Sequence, residues 1–145
     1  MSDPIASAPS AAGYGDPQPD FFGEPYQALT LPLADDREGP VVSTLVRRRG
    51  DRPTTSAVLY LHGFSDYFHQ KELADFHIAR GDDFYAVDLR KNGRSLLPHQ
   101  TPANMTDVSD YYPELDAALA TIIAVVVRRT RLARVRAEEP PSGSS

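Results

Sequence analysis

The most regular pattern early in the chain is an alternation of apolar and polar residues in two neighbouring runs. Leu29, Leu31 and Leu33 recur at every second position in YQALTLPL, and VVSTLVRRR alternates from Val41 to Val46. The segment between the two runs, ADDREGP, is rich in turn-forming residues. Alternation indicates strands with one buried face, and a short turn between two such strands indicates a hairpin. The pattern therefore predicts an antiparallel β-hairpin.

A non-alternating apolar run follows the hairpin and leads into a polar stretch with helical spacing. The run AVLYL, residues 57–61, is bounded by turn signals, which is typical of an interior strand covered on both faces. The next stretch predicts a helix that is capped by Ser65 or Asp66 and runs to about Arg80. Gly81 stands where a glycine commonly ends a helix.

A second buried strand is predicted in DFYAVDL, residues 83–89. Strand, helix and strand then follow one another over about thirty residues, which is the size of a βαβ unit. The two strands of such a unit are parallel and are joined by a right-handed crossover.

A longer helix is predicted after the polar loop RKNGRSLLPHQTPANMT. Asp107 opens it, and Pro113 indicates either a kink or a later start. The apolar positions recur at spacings of three and four, as on a helix face that contacts a core: Val108, Tyr111, Leu115, Ala118, Leu119, Ile122 and Val126. Together the elements predict an incomplete α/β domain.

Length and composition restrict the classes of protein and divide the chain. The 145 residues suffice for one domain, and the net charge of −5 argues against a nucleic-acid partner. Without cysteine, disulfides and thiolate metal sites are excluded. The N-terminus lacks a secretory signal, and the longest apolar run, AALATIIAVVV, is too short to span a bilayer, so we expect no transmembrane segment and a cytoplasmic protein. We predict a disordered segment at 1–25, a domain at 26–122, and a basic, then Pro/Ser-rich tail at 123–145.

Four stretches in order resemble the N-terminal part of an α/β-hydrolase over about residues 20–120. They are VVSTLVRR, AVLYLHGFSDY, FYAVDLRKNGRS and TDVSDYYPELDAAL, which match the second strand, the third strand with its oxyanion turn, the fourth strand with its turn, and the helix that leads to the nucleophile strand. The resemblance is to the branch of monoacylglycerol lipases, lysophospholipases and serine aminopeptidase S33 domains. It implies an incomplete α/β-hydrolase fold, a lipid or small ester as the substrate of complete relatives, and no cofactor or metal.

The resemblance also implies roles for particular residues. The backbone N–H of Phe64 would donate one of two oxyanion-hole hydrogen bonds, and the second would come from the residue after the nucleophile. His62 and Gly63 would be structural. The resemblance places four residues in the turn after the fourth strand: Asp88, Gly93, Arg94 and Ser95. Of these, Asp88 would hold the turn by hydrogen bonds.

The catalytic residues of that family are missing from this sequence. No Gly-x-Ser-x-Gly occurs, and the match stops near Thr121, before the acid and the histidine of a triad. We therefore expect an N-terminal fragment of an ester hydrolase that is inactive by itself. One hypothesis is a frameshift or a mis-called gene end, which fails if neither alternative frame after about Ala124 encodes the pentapeptide. The alternative is a genuinely short protein with a basic tail.

Several polar residues have both a functional and an ordinary interpretation. His69, His77 and His99 could be a base or metal ligands, but solvated or packing roles are favoured. Ser65 could be imagined as a nucleophile, but a helix cap is favoured because no histidine is in evidence to activate it. The segment RRTRLARVR could dock on an anionic membrane or on nucleic acid, but a solvated or artefactual tail is favoured.

A second hypothesis for the whole chain is a catalytically dead binding or interaction module. Such a module would self-associate, or pair with a full-length relative, through the exposed edge of its sheet.

Overall fold

A computed structural model describes residues 16–138 and shows an α/β fold built on one five-stranded mixed sheet. Across the sheet the strands lie in the order β1-β2-β3-β5-β4, and all neighbours are antiparallel except the parallel pair β4 and β5. In chain order the elements are β1 (Gln18–Pro19), β2 (Gln27–Asp36), β3 (Gly39–Arg48), β4 (Ala57–Leu61), α1 (Lys71–Ala79), β5 (Asp83–Asp88), 3-10 turns at Gly93–Ser95 and Val108–Tyr111, and α2 (Tyr112–Glu138).

The antiparallel hairpin predicted from the alternating runs is confirmed. Strands β2 and β3 pair with Leu29 opposite Leu45 and Leu31 opposite Ser43. In β2 only Leu29 and Leu31 are buried, as expected for a strand with one buried face, whereas β3 is buried on both faces from Ser43 to Arg47. The hairpin places its tight turn, between Asp36 and Gly39, at the same end of the sheet as the carboxyl end of β5, because β3 and β5 run antiparallel.

The strand–helix–strand unit is also confirmed, with two corrections. Strand β4 pairs in parallel with β5, and all six residues of β5 are buried. Among residues 16–138, however, β4 has only this one neighbour, so it is an edge strand of intermediate burial and the predicted interior position is wrong. Helix α1 begins at Lys71 after Gln70. Ser65 has a left-handed φ of 53°, which cannot lead directly into a right-handed helix, and this explains the later start.

The two helices cover opposite faces of the sheet. Odd-numbered strand residues such as Leu45, Tyr85 and Val87 contact α2, whereas even-numbered ones such as Phe84 and Ala86 lie on the side of α1. Strands β3, β4 and β5 therefore each contribute to two cores, whereas β2 contributes Leu29 and Leu31 to the core under α2 only, and the domain has three layers.

Helix α2 differs from its predicted start and continues past its predicted end. Asp107 caps the preceding 3-10 turn through a reciprocal pair of hydrogen bonds with Asp110, and α2 starts at Tyr112. Pro113 thus lies in the first turn of the helix, where no intrahelical partner needs its missing N–H. Of the two predicted alternatives, a kink or a later start, the later start is confirmed. The helix passes without a break through the predicted boundary at residue 122.

The segments predicted to be disordered or solvated are partly described by the structure. Residues 16–25 lie against the domain, with Gln18–Pro19 paired to β2 and Asp20 buried. The basic stretch from Arg128 lies on α2. Residues 1–15 and 139–145 are outside the described part of the chain.

A partly buried ion pair, in which the aspartate is buried and the arginine is partly exposed, attaches the second half of α2 to the sheet. Arg129 Nη1 donates to Asp83 Oδ2 at 3.2 Å and Arg129 Nη2 donates to the Gly50 carbonyl at 3.3 Å. Asp83 is 1% exposed, and its Oδ1 accepts from the Gly50 amide at 3.0 Å. Removing one partner of such a pair leaves a buried charge uncompensated.

Within residues 16–138, no helix combines the length and the apolar character that crossing a bilayer requires.

Substitutions at two neighbouring arginines test whether the second half of α2 contributes to the stability of the fold. We expect Arg129→Gln to lower the free energy of unfolding by about 1–3 kcal/mol, because Asp83 loses its charged donor. Arg128→Gln makes the same change of charge at an exposed position and should stay within about 0.5 kcal/mol of the parent. Urea unfolding followed by circular dichroism measures both, and equal losses would contradict the anchoring role of Arg129.

Candidate functional site

The carboxyl ends of β4 and β5 lie side by side and carry the residues singled out in the sequence. Because the two strands are parallel, with Leu61 opposite Val87, the residues that follow them emerge at one edge of the sheet. His62, Gly63 and Phe64 follow β4, and Asp88 ends β5. In open α/β sheets this edge is the usual place for a ligand.

His62 connects the two strand ends through its imidazole ring. Its Nε2 accepts the Leu89 amide at 2.9 Å, and its Nδ1 lies 2.6 Å from the Gly63 carbonyl oxygen. A backbone N–H can only donate, so Nε2 is unprotonated and Nδ1 carries the proton. The ring is 8% exposed, and both its nitrogens are committed to backbone.

The Phe64 amide stands in the exposed turn after this histidine. No described residue accepts a hydrogen bond from it, and the Phe64 side chain is 81% exposed. Ser65, with its left-handed φ, follows directly. A left-handed residue in a turn helps neighbouring amides to point outward, which suits an acceptor that develops negative charge.

Asp88 holds the turn after β5. Its Oδ1 accepts the Phe68 amide at 2.8 Å, and its Oδ2 accepts both the Arg94 amide at 2.9 Å and Arg94 Nη1 at 3.0 Å. The carboxylate is fully buried, so these donors replace the water that it loses.

Two serines fix the main chain of the same residue. Ser95 Oγ donates to the Asp88 carbonyl at 2.5 Å and accepts the Thr44 amide at 2.8 Å. Ser43 Oγ donates to the same carbonyl at 2.8 Å. The end of β5 is therefore tied to β3 by side chains after the regular ladder stops.

Arg94 extends this network to the N-terminal segment. Its Nε and Nη2 contact the two oxygens of Asp20 at 2.6 and 3.0 Å, and its Nη1 donates to the Phe68 carbonyl at 2.9 Å. The guanidinium carbon also lies 4.4 Å from the ring centroid of Phe21 and 4.9 Å from that of Phe22. Sequence reasoning missed Asp20, since nothing local marks an acid as the partner of an arginine 74 residues away.

Gly93 is required by close approach as well as by its backbone angle. Its φ is +48°, and a Cβ there would stand 2.3 Å from Tyr67 Cβ and 2.7 Å from Asp88 Oδ2. No side chain fits without displacing the chain after β4 from the turn after β5.

A buried lysine forms a second cluster at this end of the sheet. Lys91 is 1% exposed, and its Nζ lies 2.5 Å from Asp36 Oδ2 and 2.8 Å from Glu38 Oε1, both in the β2–β3 turn. The backbone amide of Thr101 also donates to Glu38. The pKa of Glu38 is lowered from 4.5 to about 2. The largest cause is the hydrogen bond from Lys91, and the hydrogen bonds from Thr101 lower it further.

Beside this lysine lies a small polar cavity of about 180 Å³. Its lining includes Arg90, which donates through Nε and through its amide to Glu114 at 2.7 and 2.6 Å. Burial raises the pKa of the Glu114 carboxyl. Sequence reasoning missed Lys91 and Glu114; the only local signal was the pair of acids two residues apart, Asp36 and Glu38, in the hairpin turn.

Serine, histidine and aspartate do meet elsewhere, but in an order that cannot activate the serine. Ser56 Oγ donates to Asp82 Oδ1 at 2.6 Å, and His77 Nδ1 lies 3.4 Å from Asp82 Oδ2. The acid is in the middle, whereas a triad needs the imidazole there to take the hydroxyl proton.

The other histidines are not gathered into a site. His69 Nε2 lies 3.5 Å from Asp66, and His99 Nε2 lies 2.9 Å from the Pro40 carbonyl oxygen. Within residues 16–138, no three metal-ligating side chains come together.

Among residues 16–138 the arrangement presents one unengaged amide, and the serine next to it, Ser65, has no hydrogen bond to a histidine. Comparisons with protein-family models, curated proteins and solved structures found no match to this chain.

Alanine substitutions at two glycines with positive φ distinguish the free-energy cost of an unfavourable backbone angle from the cost of a steric overlap. Gly23→Ala, at φ +80° with nothing within 4 Å of a new Cβ, should lose about 1–2 kcal/mol of unfolding free energy. Gly93→Ala should lose at least about 1 kcal/mol more, because its Cβ also overlaps Tyr67 and Asp88. Thermal and urea unfolding of the two variants measures the difference, and a smaller loss for Gly93→Ala would show that the turn can relax.

Acid should weaken the Lys91 cluster through Glu38. A carboxyl whose pKa is lowered on folding stabilises fully above its unfolded pKa and loses that contribution as pH falls through the folded value. Glu38 should thus contribute fully above pH 4.5 and progressively less towards about pH 2. Urea midpoints measured over this range should fall more steeply for the parent than for Glu38→Gln, with the curves converging near the acid end. Parallel curves would contradict the assignment.

Proposed function

We propose that these residues form the N-terminal part of a serine ester hydrolase of the α/β-hydrolase type, similar to monoacylglycerol lipases and lysophospholipases. The arrangement of the elements supports this: an antiparallel hairpin leads into a parallel strand–helix–strand unit, with the His62–Phe64 turn at the carboxyl end of its first strand. The resemblance implies this order of elements, although β4 lies at the edge of the sheet among the described residues and not in its interior.

The observation that carries the proposal is the unengaged Phe64 amide. In acyl transfer the carbonyl oxygen of the ester becomes negative, and a fixed N–H directed at it stabilises the transition state more than the ground state. The bonds of His62 to Leu89 and Gly63 hold this turn against the end of β5. The amide therefore needs little reorganisation when charge develops.

The surface around this amide supports a lipid or a small apolar ester as the substrate class of the complete enzyme. Leu61, Phe64 and Tyr67 are 46%, 81% and 39% exposed and surround the turn. An acyl chain that covers them would be removed from water together with the reacting carbonyl.

The 145 residues by themselves carry half of an oxyanion hole and no attacking group. In this type of enzyme the second donor follows the nucleophile, which belongs to a Gly-x-Ser-x-Gly that the sequence does not contain. Without a nucleophile, acyl transfer has no covalent step to accelerate.

A second candidate function is a non-catalytic binding module, and the open edge of β4 favours it. Within the described residues β4 has a strand neighbour on one side only, so its other side offers backbone groups to an added strand. A monodisperse, protease-resistant protein favours this function, whereas aggregation and rapid proteolysis favour a fragment without a function of its own.

The hydrolase proposal predicts a specific failure of the chain alone. Purified protein should not hydrolyse p-nitrophenyl butyrate above the rate of a heat-denatured sample and should not be labelled by a serine-directed fluorophosphonate. Labelling that disappears in Ser65→Ala would identify an active serine in the turn and would contradict the proposal.

The same prediction has a positive arm in a chimera that joins residues 1–122 to the nucleophile half of a monoacylglycerol lipase. If Phe64 donates to the oxyanion, Phe64→Pro, which removes the N–H, should lower the kcat of an active chimera by about 100- to 1000-fold. Phe64→Ala keeps the N–H and is the matched control. Equal activity of the two variants would show that this amide is not a donor.

A further inference from the structure

The outward face of α2 carries an apolar stripe for which the described residues provide no partner. Leu119, Ile123 and Val127 are 47%, 61% and 45% exposed. With roughly 100° between successive residues, this face is turned by about 120° from the side of the helix that packs on the sheet through residues such as Ala118 and Ile122. We call the full row at spacings of three and four the outer stripe of α2: Tyr112, Asp116, Leu119, Ile123, Val127, Thr130 and Arg134.

The order of residues in the outer stripe is close to a mirror image about Ile123. Leu119 and Val127 each lie four residues from it, and Tyr112 and Arg134 each lie eleven residues from it. In two antiparallel copies of the helix that cross at Ile123, Leu119 of each copy would face Val127 of the other. An apolar centre would then be covered from both sides.

The charges of the outer stripe are complementary only in that antiparallel arrangement. In the stripe Asp116 precedes the apolar centre and Arg134 follows it, Arg131 lies beside the stripe at the same end as Arg134, and all three residues are exposed. None of them has a hydrogen bond or an ion pair within residues 16–138. Antiparallel packing brings the acid of one copy to the arginines of the other, whereas parallel packing would place like charges together.

The ends of the stripe fit the same arrangement. Tyr112, 59% exposed, would meet Arg134 of the other copy, and a guanidinium over a tyrosine ring is an attractive contact. A two-fold axis through Ile123 satisfies both ends at once, because each contact occurs twice.

We propose that the outer stripe of α2 is an interface between two copies of this chain, packed as an antiparallel helix pair about a two-fold axis near Ile123. Because one pair of crossing helices offers a small contact surface, we expect the dimer to dissociate at micromolar concentrations. This proposal uses a different surface from the edge of β4 and is independent of the hydrolase assignment.

Sedimentation velocity of the full chain over a range of concentrations tests the proposal. The parent should shift from monomer to dimer, and Ile123→Glu should raise the dissociation constant by about 100-fold or more, since it places two carboxylates at the axis. Phe76→Glu on α1 is the matched control: Phe76 is 55% exposed, lies on the other side of the sheet, and should leave dimerisation unchanged.

Charge reversal tests the antiparallel orientation separately from the apolar centre. Asp116→Arg makes the flanking charges all positive, and Arg131→Glu with Arg134→Glu makes them all negative. Each variant alone should be monomeric, and an equimolar mixture should form a heterodimer, a result that misfolded variants could not give.

Three results would overturn the proposal. A parent that remains monomeric to millimolar concentration lacks the interface. A dimer that survives Ile123→Glu uses another surface, such as the edge of β4. A monomer that instead sediments with phosphatidylserine vesicles, through Arg131 and Arg134, would show that the stripe binds an anionic membrane.

Discussion

The architecture at the carboxyl edge of the sheet depends on one buried carboxylate. Asp88 accepts the Phe68 amide, the Arg94 amide and the Arg94 side chain, so two residues from different turns supply three donors to its two oxygen atoms. A buried charge is stable only while its hydrogen-bond donors remain, so losing either donor residue would destabilise the whole arrangement around Asp88. The turn that presents Phe64 to solvent lies between the strand end that His62 fixes and the Phe68 amide that Asp88 holds.

Much of the layered fold could be predicted because it follows from local periodicity. The period-two runs of β2 and β3 and the apolar run of β5 are consequences of which face each residue must bury. The same holds for most of the face of α2 that contacts the sheet, but the pattern was wrong for Val108 and Leu119, which it assigned to that face and which are 60% and 47% exposed. The pattern could not determine that β4 is an edge strand, since the number of neighbours of a strand depends on the rest of the sheet and not on its own residues.

The candidate site could be predicted only where a motif carried it. His62, Phe64 and Asp88 were found because they stand in short stretches with a recognisable order. Asp20 and Lys91 were not, because their partners lie far away along the chain, and an isolated charged residue in a sequence usually indicates only a solvated surface. The start of α1 was misplaced for a related reason: the left-handed angle of Ser65 is imposed by the turn around it and not by its own preference.

The contact between Asp20 and Arg94 has a consequence for the order in which the molecule assembles during translation. These residues are 74 positions apart, so the beginning of the described chain cannot reach its final place until the turn after β5 has left the ribosome. Until then Phe21 and Phe22 have no guanidinium to lie against, and they are apolar side chains on a nascent polypeptide. During that interval these two aromatic side chains are free to make non-native contacts with the emerging chain.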